Sequence, residues 1–115
     1  DEVFYNASHH ANEWITTPLL LKFIEEYSES FANGGSLYST LAVQLFKKAT
    51  LYIVPMVNPD GVDLVNGVLR NDRYKNETLK ISARYPDIPY PNGWKANIAG
   101  VDLNLQYPAG SNEAK

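Results

Sequence analysis

The sequence predicts an α/β fold: a partial sheet, parallel or mixed, flanked by helices. Two short runs rich in Val, Ile, Phe and Tyr, Val3 to Ala7 and Leu51 to Val57, read as strands. Two stretches with apolar residues at helical spacing lie between them. Both strand runs are nearly continuously apolar. This suits a sheet covered by helices better than a free-standing antiparallel sheet with one wet face.

Val3 to Ala7 is expected to be a largely buried strand. From about Glu13 to Phe31 the apolar residues Leu20, Phe23, Ile24, Tyr27 and Phe31 recur with helical period, while Glu25, Glu26 and Glu29 fall mainly on the other face. Asn33-Gly34-Gly35 supplies the stop. A second helix is expected after Ser36, carrying Leu37, Leu41, Leu45 and Phe46 to Lys47-Lys48, where cations suit the negative end of the helix dipole. Leu51 to Val57 reads as a core strand, with Pro55 tolerable near its end. From about 66 to 97 the charges of Arg70, Asp72, Arg73, Lys75 and Lys80 mix with Pro86, Pro89, Pro91 and Gly93. That pattern predicts a long irregular excursion with one short helix around Asn76 to Ala83. No repeat or low-complexity tract interrupts the chain.

With 115 residues, 44% of them hydrophobic and 12% aromatic, the chain suits at most one globular domain. The absence of cysteine excludes a disulfide framework but leaves the compartment open. A net charge of −3, with scattered Lys and Arg, gives no stripe for nucleic acid. No stretch approaches the roughly 20 apolar residues of a membrane span. The start, Asp1-Glu2-Val3-Phe4, has neither an initiating Met nor a signal-peptide pattern, so the chain reads as a piece of a longer protein. Asn6-Ala7-Ser8 and Asn76-Glu77-Thr78 fit the glycosylation acceptor pattern and read as chance matches.

The chemistry concentrates in His9-His10-Ala11-Asn12-Glu13-Trp14, directly after the first strand. In a covered α/β sheet, ligands gather beyond the carboxyl ends of the strands, and that is where His9-His10 and Asn58-Pro59-Asp60 fall. An imidazole and a carboxylate three residues apart can converge on one ion, whether in a tight turn or on one face of a helical turn. Catalytic zinc commonly takes two histidines and a carboxylate, and lowers the pKa of the water at its open position. The chain has only two histidines, and they are adjacent. Taken alone, the spacing also fits a solvated helix start.

Ala7-Ser8-His9-His10-Ala11-Asn12-Glu13-Trp14, Val57-Asn58-Pro59-Asp60-Gly61 and Gly100-Val101-Asp102-Leu103-Asn104 together resemble, in order and context, the zinc carboxypeptidase family of metallopeptidases. The resemblance runs from about Val3 to Pro108. It implies that the chain is the N-terminal part of one zinc-peptidase catalytic domain, spanning residues 1–115, with His10 and Glu13 as ligands of one Zn2+ ion. His9 could instead pair with Glu13 at i+4, but the family match sets the ligand His three residues before the Glu, leaving His9 a supporting or structural part. The third ligand and the general base, a downstream Glu in the family, are not found in this sequence. The chain alone is therefore expected to bind zinc weakly or not at all, and to be inactive.

Lys95, nine residues before Asn104, stands where relatives carry an Arg that stabilises the oxyanion. Lysine supplies the cation without arginine's planar fork, and a merely solvated lysine is the alternative. Asn104 matches the family asparagine that binds the substrate's terminal carboxylate or its surrogate, with backbone capping as the alternative. Leu105 replaces the Arg that ordinary carboxypeptidases use to pair with a free terminal carboxylate, a charge-assisted bond that leucine cannot make. A desolvated carboxylate without its cation costs several kcal/mol, so another residue supplies the charge or the substrate differs. Residues 100 to 109 look like the bacterial γ-D-glutamyl-L-diamino acid endopeptidases. The resemblance implies a peptide substrate, a peptidoglycan stem peptide cut between γ-D-glutamate and meso-diaminopimelate, and a bacterial cytoplasmic or cell-envelope setting. A conventional metallocarboxypeptidase or a deacylase of the superfamily is the alternative within the class. A non-catalytic binding module or inert fragment is the alternative outside it.

Overall fold

The structure, a computed structural model, describes residues 1–108; Ala109, the last residue of the 100–109 motif, lies outside the described residues. Strand β1, Glu2–Asn6, pairs in parallel with β4, Thr50–Val54, in a register that sets Val3 beside Leu51, Phe4 beside Tyr52 and Tyr5 beside Ile53. The parallel crossover carries helix α1, Thr16–Ala32, a small hairpin of β2, Ser36–Leu37, and β3, Thr40–Leu41, and helix α2, Ala42–Lys48. After β4 come α3, Pro59–Val65, and α4, Asp72–Ser82, followed by loops that return to the end of β1. The α/β class follows directly: a small parallel sheet with helices. Among the described residues no helix is long and apolar enough to cross a membrane.

Helix α1 lies on one face of the sheet, with Phe23 edge-on to Tyr5 at 5.8 Å and stacked on Tyr27 at 5.9 Å. Phe46 of α2 extends this aromatic row, 6.1 Å from Tyr27 and 4.5 Å from Phe31. The opposite sheet face is open. Phe4, on that face, is 55% exposed, and Tyr5, on the α1 side, is still 45% exposed, so the first strand is not the largely buried element its composition predicts. Composition reports what a strand can bury; two strands with helices on one side leave half of that surface in water.

The second helix also begins later than expected. Tyr38 and Ser39 adopt positive φ values of 49° and 71°, which close a tight antiparallel hairpin. Leu37 and Leu41 are therefore strand residues, and only Leu45 and Phe46 ride on the helix. Pro55 follows the last residue of β4, where a missing N–H costs no ladder bond. Helix α4 starts at Asp72, four residues before the expected helix, with the Asn71 side chain accepting the Tyr74 N–H.

Candidate metal centre and substrate cleft

Chain geometry just beyond β1 brings the imidazole and the carboxylate together. Ser8 takes a left-handed φ of 53°, turning the chain out of the sheet plane. Its N–H bonds to Thr16 Oγ1 at 2.9 Å, and its hydroxyl meets Thr17 Oγ1 at 2.6 Å. A 3-10 turn, Ala11–Glu13, then carries Glu13 back toward His10. His10 Nδ1 lies 3.2 Å from Glu13 Oε1, with the imidazole largely buried and the carboxylate half exposed.

The other ring nitrogen is held from far along the chain: His10 Nε2 is 3.2 Å from Asp102 Oδ1. A carboxylate only accepts, so Nε2 donates to Asp102, while Nδ1 faces the Glu13 carboxylate. Asp102 is itself fixed, since the same Oδ1 accepts the Asn104 N–H at 3.0 Å. Among the described residues, the bond to Asp102 is the one side-chain hydrogen bond His10 makes, the Glu13 oxygen standing beside the ring nitrogen rather than in line with an N–H.

Asn58 joins the site to the rest of the molecule. Buried at 3% exposure, it donates through Nδ2 to the carbonyls of His9 and Ala96, at 3.1 and 3.0 Å, while Oδ1 caps α3 by accepting the Gly61 N–H at 3.2 Å. A Cβ on Gly61 would come within 2.6 Å of that amide, which accounts for glycine there. Ala11 N–H also bonds the Lys95 carbonyl at 3.1 Å. The loop bearing Lys95 is thereby tied to the turn bearing Glu13, and Lys95 Nζ reaches Glu13 Oε1 at 3.4 Å. Below this lies a small core of Ala11, Leu64, Leu69 and Trp94.

An open cavity of about 220 Å³ is lined by Asn6, Ser8, His9, His10, Glu13 and Asn104 among others. Asn104 thus stands at the same end of the sheet as His10. Lys95 does not line that cavity. With Asp102 it borders a larger, mainly apolar one of about 550 Å³ between α4 and the 93–102 loop, so the Lys95–Glu13 and Asp102–His10 contacts stand between the two. Leu105 is 65% exposed and lines neither. The two residues missed by sequence reasoning are Asp102 and Asn58. Both lie within the quoted motifs, but a contact across 92 positions leaves no trace in local spacing.

A model of the zinc carboxypeptidase family matches residues 1–115. The chain belongs to this family. It is 44% identical over 108 residues to γ-D-glutamyl-L-diamino acid endopeptidase 1 of Lysinibacillus sphaericus, a match covering 93% of this chain and 26% of that protein. It is 45% identical over 109 residues to an uncharacterized protein of Bacillus subtilis (strain 168), covering 94% and 28% respectively. A zinc carboxypeptidase of Saccharothrix mutabilis subsp. capreolus is 32% identical over 74 residues, covering 63% of this chain and 16% of that protein. The chain thus spans about a quarter of the length of the first two relatives. No solved structure matches it.

The family is zinc-dependent, and the His10–Glu13 pair fits two positions around such an ion. Neighbouring ligands of a tetrahedral zinc stand about 3.4 Å apart, given bonds of roughly 2.1 Å, and the observed separation is 3.2 Å. A carboxylate on the far ring nitrogen is also what a zinc-binding histidine normally has. Among the described residues no group of three His, Cys, Asp or Glu side chains is placed to hold a metal. Asp102 cannot complete the set, because it lies across the ring from Glu13.

Proposed function

We propose that this chain carries part of the active site of a zinc-dependent peptide hydrolase that cleaves γ-D-glutamyl-diamino acid bonds in peptidoglycan stem peptides. The observation that carries the reading is the joint one at the cleft: Asn104 lines the cavity with His10 and Glu13, while the next residue is an exposed leucine rather than a cation. A site with no cation beside Asn104 favours a substrate whose recognition does not centre on a conventional C-terminal carboxylate. The 44% identity to a protein named for cleaving γ-D-glutamyl-L-diamino acid peptides supports the same substrate. Such a substrate fits a bacterial cytoplasmic or cell-envelope setting.

In this proposal His10 Nδ1 and Glu13 hold zinc, which when bound supplies Lewis acidity to a carbonyl and to water. Asp102 keeps His10 in the tautomer that offers Nδ1 to a cation. Glu13 is a ligand rather than the proton acceptor. Lys95, whose Nζ lies 3.4 Å from Glu13 Oε1 at the border of the neighbouring cavity, would supply the cation that steadies an anionic carbonyl oxygen, and Asn104 would orient the substrate by hydrogen bonding. The 115 residues by themselves are read as inactive, because two ligands and no base do not make a complete site.

The test uses the full-length protein carrying this chain, with kcat/KM measured on a γ-D-glutamyl-diaminopimelate peptide and on a simple amino-blocked C-terminal dipeptide. The proposal expects preference for the first by at least about tenfold, roughly 1.4 kcal/mol of discrimination. Leu105→Arg should lower activity on the γ-D-glutamyl peptide by adding bulk and an unpaired cation. A preference of the unmodified enzyme for the simple dipeptide would move the assignment to conventional carboxypeptidases.

A further inference from the structure

Two histidines stand side by side at the end of β1, and the proposed metal pair uses only His10. The other imidazole has a different partner: His9 Nε2 lies 2.6 Å from the Tyr107 hydroxyl, with ring centroids 5.6 Å apart. Neither side chain belongs to the core, Tyr107 being 49% exposed. Burial therefore does not account for this contact.

What the contact spans gives it meaning. Residues 102 to 107 run past the mouth of the cleft and include one 3-10 turn, Leu103–Leu105, too short to fix its own place. At one end the segment is fastened by Asp102, through Oδ1 to His10 and to the Asn104 N–H. Gln106 Nε2 bonds the Asp102 carbonyl at 3.1 Å, which ties the segment to itself but not to the cleft. Tyr107 fastens the other end to His9. Asn104 lies between the two fastenings and lines the same cavity as His9, His10 and Glu13.

We propose that the His9–Tyr107 hydrogen bond is a clasp that holds Asn104 against the cleft, making His9 and Tyr107 positioning residues for substrate. This rests on reading the cleft as a peptide site. The adjacent histidines then divide the work: His10 faces the metal position, and His9 anchors the strand of chain that presents the substrate-binding amide. Without the clasp, Asn104 keeps, among the described residues, only the fastening through Asp102 and samples more positions. Substrate binding weakens while the His10–Glu13 pair is untouched, so KM rises and kcat holds. The net worth of one such hydrogen bond sets the loss at about three- to tenfold in KM.

The experiment compares Tyr107→Phe, His9→Ala, their double variant and His9→Gln in the zinc-loaded full-length protein. Steady-state kinetics on the γ-D-glutamyl peptide are combined with NMR of the His9 ring nitrogens and of the Asn104 amide. Tyr107→Phe and His9→Ala should each raise KM by about three- to tenfold with kcat within about twofold, and the double variant should add nothing further. His9→Gln keeps a hydrogen-bonding group in reach of the hydroxyl and should stay near the parent. The Asn104 amide should become more mobile in both single variants, and the His9 ring signal should shift in Tyr107→Phe while His10 does not. An unchanged KM in both single variants, or additive losses in the double, would overturn the clasp. If the parent cleaves none of the peptides, the functional reading fails instead. The NMR arm then still decides the clasp, because an Asn104 amide indifferent to Tyr107→Phe sinks it.

Discussion

The two halves of the molecule are held in different ways. The half built from β1, β4, α1 and α2 relies on apolar contact: an aromatic row from Tyr5 through Phe23, Tyr27 and Phe46 to Phe31, and a sheet face on which Phe4 and Tyr52 are about half exposed. The half around the cleft has a core of four buried residues, Ala11, Leu64, Leu69 and Trp94, crossed by directional bonds from Asn58 and Asp102. Apolar contact is roughly proportional to area and indifferent to angle, so it tolerates change. A buried amide with every partner satisfied does not, because removing it strands several polar groups at once.

The sharpest way to break this contrast is at Asn58. Asn58→Ala leaves the buried N–H of Gly61 and the part-buried carbonyls of His9 and Ala96 without their partner. We expect a loss of about 3 kcal/mol of stability, near the upper end for single substitutions. Since the same amide ties His10's loop to Lys95's, activity of the full-length protein should fall with it. Urea denaturation and peptide turnover read the two effects. A loss below about 1 kcal/mol would mean that the cleft half is as tolerant as the strand half.

A smaller effect, on binding rather than folding, is expected at Asp102. Asp102→Asn keeps the shape but offers a neutral amide to His10 Nε2 in place of a carboxylate, which only accepts and so favours an N–H at that nitrogen. Removing such a partner typically weakens metal affinity by about 10- to 100-fold. Competition against a zinc-sensitive dye in the full-length protein measures it directly. Equal affinity in the two proteins would show that the Asp102–His10 contact does not tune a metal ligand.

The contrast also explains what could be read from the sequence. Apolar runs and helical spacing locate β1, α1 and β4, because the period of the pattern reports the element type even where, as in β1, much of the surface stays exposed. The start of α2 is misplaced because a hairpin with positive φ at Tyr38 and Ser39 carries no Gly or Asn to announce it. Helix α3 is passed over although Asn58 and Pro59 are a fitting N-cap and first residue, because its seven residues are too few for periodicity to register. At the cleft, the His10–Glu13 pair is legible since three residues of spacing bring the two groups together. The Asp102–His10 bond is not, because the fold alone closes that distance.

The smallest expected effect lies on the open sheet face. Phe4 and Tyr52 are register partners there, 55% and 50% exposed, and Tyr52 also donates to Glu2 at 3.1 Å. Phe4→Ser removes apolar surface that water already touches, at a place where no cavity forms and no polar partner is stranded. In the 115-residue chain the change in stability should stay within about 0.5 kcal/mol, the usual range for surface substitutions. The same substitution in the full-length protein sharpens the comparison. The relatives extend well beyond the matched region, and a sheet face rich in Phe, Tyr and Val is suited to being covered by further chain. A cost of 2 kcal/mol or more there, against almost none in the 115 residues, would mark Phe4 as a core residue whose partners lie elsewhere in the polypeptide. Equal small costs in both would leave the face solvated and make the open side of the sheet a true surface.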